Sequence, residues 1–255
     1  MKHPFCWPAL LAVLLLVFSP AAAATLDQLK SAIAGSNATR AVASSLPSDQ
    51  IVNGLKEALG KGVERAVASL GRSNGFLTNL TVKIPMPAKL QSAEKGLRVA
   101  GQGSHVDAFI ASMNRAAEKA VPAAAAVFGE SIRQMSIADA KAVLSGPDDA
   151  ATQFFRRTTQ TNLYAKFYPL VQKATGSVGV TAYYKQMMSK FTAPDSLGGL
   201  LGSKSQFEAA DIDAYVTDRA LDGLFQVVAE EEKNIRANPV ARTSDLLQKV
   251  FGSVK

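Results

Sequence analysis

Cysteine, tryptophan and histidine are almost missing from this chain of 255 residues. Cys6, Trp7 and His3 all lie within the first seven residues, and His105 is the one member of these three residue types beyond them. A zinc site built from thiolates or from several imidazoles therefore lacks its ligands, and disulfides and cysteine nucleophiles are excluded as well. We predict neither a metal site nor a cofactor.

Aromatic residues are also scarce, at 7% of the chain, whereas hydrophobic residues make up 47%. That apolar content is enough for a sizeable core, which excludes a disordered or fibrous protein. Lys and Arg outnumber Asp and Glu by 28 to 21. The basic residues are scattered and do not alternate with aromatic ones, so nucleic-acid binding is not expected. The excess is consistent with peripheral contact with an anionic membrane.

The first two dozen residues have the pattern of an export signal. Lys2 provides a positive start, residues 9–18 form an apolar run, and Pro20 is followed by four alanines that offer cleavage sites. The run of about ten residues is far shorter than the roughly 20 that cross a bilayer as a helix. We therefore predict a signal peptide at residues 1–24, cleaved near Ala23–Thr25, and a periplasmic mature chain.

Helical periodicity dominates the remainder and predicts one all-α, bundle-like domain over residues 25–255. We expect residues 25–47 to form a loosely attached N-terminal segment of that domain. Apolar residues from Ser48 to Leu70 recur at helical spacing. The same pattern, with capping and stop signals, predicts further helices after Pro87, over residues 104–120, 122–134 and 179–191, after Ser136 and Asp148, from Asp211 to Arg236, and from Asn238 onward.

Two segments depart from this pattern. Thr81 to Ile84 alternates polar and apolar residues, and Pro85 and Pro87 follow, so a short extended segment or edge strand is predicted there. Leu197 to Gly202 is too rich in glycine for a stable helix and too apolar for a solvated linker. We interpret it as a mobile flap.

Two charged residues fall on predicted core faces. Arg156 shares a predicted core-facing side of its helix with Leu163, Phe167 and Leu170. Glu231 points with Leu224 and Val228 toward the apolar side of its helix. An unpaired buried charge costs several kcal/mol, so each needs a partner.

We hypothesise that Arg156 and Glu231 belong to one partly buried polar cluster. Its remaining members are polar residues expected at its boundary or rim: Thr152, Thr159, Asn114, Asp149 and Asp222. The cluster either serves a ligand or only fixes the register of the helices.

One enzyme motif nearly matches. Ser92 and Lys95 have the S-x-x-K spacing of serine acyl-enzymes, and Ser112-Met113-Asn114 follows. The third element of that site and the mixed sheet that carries it are both missing from the pattern, so the match is attributed to chance.

Four stretches resemble a bacterial family of exported proteins known only as a domain of unknown function. They are Gly54–Leu59, Ser112–Glu118, Leu144–Thr152 and Ala220–Phe225. Together they extend over nearly all of the mature chain. The resemblance implies an all-helical periplasmic protein and brings no established activity, cofactor or catalytic residue.

Three functions remain open at this point. The first is a non-catalytic envelope protein that binds a protein partner, or an apolar small molecule between its helices. The second is a hydrolase that uses Glu231 and Arg156, and the third is a structural or membrane-surface protein. The sequence does not fix the partner or the oligomeric state.

Overall fold

A computed structural model of the chain describes residues 47–191 and 209–237. The expected signal peptide, most of the loosely attached segment, the proposed flap and the helix from Asn238 lie outside the described residues. The described helices all fall in one compact unit.

The described residues form eight α-helices and two short 3-10 helices, and they contain no strand. The predicted all-α class is therefore confirmed. None of these helices combines the length and apolar character that a bilayer crossing needs. The α-helices are α1 (Ser48–Gly71), α2 (Gln91–Val99), α3 (Gly103–Ala120), α4 (Ala124–Gln134), α5 (Ile137–Ser145), α6 (Ala150–Ser177), α7 (Val180–Phe191) and α8 (Ala209–Ala237); the 3-10 helices are Ala88–Leu90 and Val121–Ala123.

Local sequence signals account for several of these bounds. The predicted capping box begins α5: the Ser136 hydroxyl accepts the Asp139 amide at 3.1 Å, and an Asp139 carboxylate oxygen accepts the Ser136 amide at 3.1 Å. The Ser136 hydroxyl also donates to that carboxylate at 2.6 Å. This bond and the one from the Ser136 amide favour the ionised carboxylate and lower the pKa of Asp139. The α1 stripe faces the core, where Leu55 and Leu70 are almost completely buried.

Helices α6 and α8 run antiparallel and form the main packing layer. Thr152 bonds to Glu232 at one end of the pair, and the Thr175 hydroxyl donates to Asp213 at 2.6 Å at the other. Phe128 of α4 packs edge-on against rings from both helices, with centroid distances of 5.0 Å to Phe155 and 5.9 Å to Phe225. The core therefore lies between α6, α8 and the helices α1, α3 and α4 that cover them.

Of the two alternatives predicted at Thr81–Ile84, a short extended segment or an edge strand, the edge strand is wrong. Residues 81 and 82 belong to a turn and residues 83–87 are irregular, although burial does alternate, with Val82, Ile84 and Met86 inside. The backbone amide and carbonyl of Ile84 are both bonded to the side chain of Asn114. A side-chain amide thus takes the place that a neighbouring strand would occupy.

Helix α6 differs from its prediction at two points. It begins at Ala150, and neither Asp148 nor Asp149 caps it with a side-chain hydrogen bond. Its buried stripe passes through Leu163 and Phe167 to Val171, so that Leu170 is 39% exposed instead of facing the core.

Candidate functional site

Arg156 and Glu231 do not form the predicted cluster. The Arg156 guanidinium lies 3.8 Å from Asp222 and stacks over the Phe225 ring at 4.5 Å. Glu231 lies instead 3.6 Å from Arg65 of α1. Asp222 and Glu231 are nine residues apart on one helix, which separates them by about 13 Å along its axis. The hypothesis of a shared Arg156–Glu231 site is therefore wrong.

The buried acid on α8 is the next residue, Glu232, which is 6% exposed. Its carboxylate accepts the backbone amide of Ala151 at 2.8 Å, and the amide and hydroxyl of Thr152 at 2.9 Å each. These are free amides of the first turn of α6, which its own aspartates leave uncapped. A carboxylate from another helix therefore caps α6, where the helix dipole favours negative charge.

Arg236 completes this arrangement. Its guanidinium donates to Glu232 at 2.9 Å and to the backbone carbonyl of Val143, at the end of α5, at 2.8 Å. The hollow between these groups and α1 has a volume of about 10 Å³, the lower limit for one water molecule. This polar cluster therefore joins α5, α6 and α8 and has no room for a larger ligand.

Asn114 and Glu118 fix a second connection. Asn114, fully buried on α3, donates to the carbonyls of Ile84 and Ile110 and accepts the Ile84 amide at 2.9 Å. One turn later, Glu118 accepts the amides of Asn74 and Phe76 at 3.1 Å each. The two side chains hold the segment between α1 and α2 against the bundle.

The remaining predicted members are also apart from one another. Thr159 donates its hydroxyl to Phe155 of its own helix at 2.7 Å. Asp149 accepts from the Gln153 side chain at 2.9 Å on the surface. Within the described residues, every buried side-chain nitrogen or oxygen has a hydrogen-bond partner. The buried polar groups are thus committed to the fold.

No set of three or more His, Cys, Asp or Glu side chains in the described ranges could hold a metal ion. The two residues that the hydrolase alternative names, Arg156 and Glu231, do not converge, because each lies against a different partner. What remains as a candidate site lies on the surface.

That surface is a partly exposed row of aromatic and charged side chains along α6 and α8, which we name the Tyr–Arg seam. The rings of Tyr164 and Tyr168 stack with centroids 6.0 Å apart. Arg219 lies over the Tyr215 ring at 5.6 Å and 3.7 Å from Asp222, whose other neighbour is Arg156. Its members are Arg156, Tyr164, Tyr168, Tyr215, Asp218, Arg219 and Asp222.

Asp218 carries the clearest electrostatic signature in the seam. Partial burial raises its pKa, the nearby Asp222 charge raises it further, and Arg219 opposes both effects. Partial burial also raises the pKa of Tyr164, with a contribution from the Asp218 charge. Because these surroundings disfavour the ionised form of Asp218, a positively charged or hydrogen-bond-donating partner would stabilise it.

Sequence reasoning missed Glu118, Glu232 and most of the seam. For Glu118 a signal was present, since it follows Asn114 by four residues on the apolar face of α3. For the seam, Tyr164 and Tyr168 are also four residues apart, but their position close to α8 depends on tertiary packing, which the sequence pattern does not show.

No curated protein and no solved structure matches this chain. Residues 45–252 match the model of a family described as "Protein of unknown function (DUF4197)". The match covers well over half of the sequence and includes all four stretches that carried the resemblance. The chain therefore belongs to the DUF4197 family, whose function is unknown.

Proposed function

We propose that this protein is a non-catalytic binding protein of the bacterial cell envelope, and that it holds a protein partner on the Tyr–Arg seam. The observation that carries the proposal is the composition of this partly exposed surface. Tyrosine and arginine are enriched among the residues that dominate binding energy at protein interfaces. Three of the five tyrosines of the chain lie in this one row, beside two arginines.

Tyr215 contributes to the fold, since its hydroxyl donates to the Pro85 carbonyl at 3.0 Å, but the ion pairs of the seam contribute little. The ion pairs of Arg156 and Arg219 with Asp222 join side chains that are 42–57% exposed, and such pairs contribute about 0–1 kcal/mol to stability. Weak, partly exposed ion pairs beside three tyrosines support a role of this surface in recognition.

The hollow beside Glu232 and Arg236 gives no support to a bound apolar molecule at that place. The hollow beside Glu232 and Arg236 accommodates no more than a water molecule. The envelope location rests on the export-signal pattern of residues 1–24.

Site-specific photo-cross-linking in cells that produce the protein tests this proposal. A photoreactive amino acid replaces Tyr164 in one variant and Lys141 in the control. Lys141 is exposed on α5 and is far from the seam. Its helix contacts α8 through the bond between Val143 and Arg236. Arg236 is eighteen residues from Asp218 of the seam, which is about 27 Å along α8. We expect one protein to be attached through position 164 and not through position 141.

A second substitution makes the result specific to the seam. Arg219→Ser in the position-164 variant should lower the adduct yield by about tenfold, as expected for an arginine hot spot. The absence of a protein adduct at position 164, or the same adducts from both positions, would overturn the proposal.

A further inference from the structure

Helices α6 and α7 carry charge of one sign only. Residues 150–191 contain six Lys or Arg residues and no Asp or Glu. The chain as a whole has 28 basic and 21 acidic residues, so this stretch is where its positive excess concentrates. Arg156 reaches Asp222 of α8, whereas the lysines of this stretch find no such partner in the described residues.

Part of that charge forms a stripe on one side of α6. Lys166, Leu170, Lys173 and Ser177 are all exposed. Their spacings of four, three and four residues place them within about 60° around the helix. Lys119 of α3 donates to the Ser177 hydroxyl at 3.0 Å and so adds a third ammonium group. We name these five residues the lysine stripe.

The ammonium groups of the stripe form no ion pair with the part of the chain that the structure describes. Within residues 47–191 and 209–237, no carboxylate oxygen lies within 4.0 Å of Lys119, Lys166 or Lys173. Several like charges along one exposed helix face give no gain to the folded chain, and they produce a positive potential that attracts an anionic partner. Charge complementarity therefore requires that the partner carry negative charge.

The apolar character of the same face selects among anionic partners. Leu170 is 39% exposed between Lys166 and Lys173. A leucine flanked by lysines, whose long apolar stems can lie along a surface, suits the boundary between lipid headgroups and acyl chains. The stacked Tyr164–Tyr168 pair, which could stack on bases, lies about 160° away around the helix.

We propose that the lysine stripe is a docking surface for an anionic phospholipid bilayer. It lies on the opposite side of α6 from the tyrosines of the Tyr–Arg seam, so membrane contact would leave those tyrosines open to a protein partner. The proposal does not depend on the function of the seam, and either can fail alone.

Co-sedimentation with vesicles tests the proposal on the full chain as purified from cells. Vesicles of phosphatidylglycerol and phosphatidylethanolamine are compared with vesicles of phosphatidylcholine at low and high salt. The variant is Lys166→Gln with Lys173→Gln. Its matched control is Lys95→Gln with Lys141→Gln, two exposed lysines on α2 and α5 that change the net charge equally. The N-terminal apolar run is common to all variants and cancels in their ratio.

Each lysine at an anionic surface strengthens binding about fivefold. The stripe variant should therefore bind about 25-fold more weakly than the wild-type chain, and the affinity of the control variant should fall by less than about twofold. High salt should release the wild-type chain. The proposal is overturned if the wild-type chain does not bind phosphatidylglycerol vesicles, if both double variants lose affinity equally, or if the stripe is needed for binding a DNA duplex but not vesicles.

Discussion

Glu232 and Thr152, 80 residues apart in the chain, are joined by two hydrogen bonds of 2.9 Å to one carboxylate oxygen. The other oxygen accepts the amide of Ala151 and the guanidinium of Arg236. Through this one carboxylate, α8 caps α6 and, by way of Arg236, holds the end of α5. The position is internal and closed, which assigns Glu232 to stability.

Glu232→Ala should destabilise the protein by about 3–5 kcal/mol, because it leaves two amides uncapped and removes the carboxylate that accepts from Arg236. Glu232→Gln keeps the volume but replaces one acceptor by a donor, and should cost about 1–3 kcal/mol. Urea unfolding followed by circular dichroism measures both values.

The adjacent acid is the matched control. Glu231 is partly exposed and 3.6 Å from Arg65, so Glu231→Ala should cost less than about 1 kcal/mol. Equal losses at positions 231 and 232 would contradict the assignment of Glu232 as the buried anchor.

Gly223 tests the packing of α8 against the segment between α1 and α2. A Cβ atom there would lie 2.9 Å from a ring carbon of Phe76 and 3.0 Å from Val82. Gly223→Ala should therefore lower the unfolding free energy by about 1–3 kcal/mol. Gly60 of α1 has no atom within 4 Å of such a Cβ, so Gly60→Ala should raise it by about 0.5–1 kcal/mol. A stabilised Gly223 variant would refute this packing.

Asn114 should control access to the segment that it holds. Asn114→Ala leaves the amide and carbonyl of Ile84 without their partners, at a cost of about 2–4 kcal/mol. Trypsin should then cut after the exposed Lys83 much faster than in the wild type. Asn162→Ala, at an exposed position of α6, serves as the control. Unchanged cleavage in the Asn114 variant would mean that other contacts hold the segment.

Asp218 and Asp139 should affect the pH dependence of stability with opposite signs. Burial raises the pKa of Asp218 above its ordinary value of 3.8, so the folded chain binds more protons and loses stability as pH rises through that interval. Asp218→Asn should be more stable than wild type at pH 7, with the difference vanishing below about pH 3.8.

The pKa of Asp139 is lowered by its bonds to Ser136. Its contribution is therefore present above pH 3.8 and is lost as pH falls through the lowered value. Asp139→Asn should be less stable than wild type at pH 7 and equal to it in strong acid. Urea unfolding across this pH range measures both differences, and the same sign for both variants would contradict the account.

The helices could be predicted because their signals are local. The α1 stripe and the Ser136–Asp139 capping box each depend on residues within a few positions of one another. Burial along Val82, Ile84 and Met86 also follows the alternation in the sequence. The alternation could not indicate the hydrogen-bond partner of Ile84, which is the side-chain amide of Asn114, thirty residues later in the chain.

The buried acid could not be chosen from periodicity. Glu231 and Glu232 both continue the spacing of Leu224 and Val228, since steps of three and of four residues fit a helix equally well. The choice is made by the uncapped first turn of α6, which lies against position 232. This is a tertiary contact that no local pattern encodes.

The central claim is that the Tyr–Arg seam is covered by a protein partner in the cell. Hydroxyl-radical footprinting with mass spectrometry tests it most directly, by comparing tyrosine oxidation in intact cells and in the purified chain. Tyr164 and Tyr168 should react several-fold more slowly in cells, whereas Tyr183, half-buried on α7, should react at the same rate in both. Equal rates for Tyr164 in cells and in the purified chain would contradict the claim.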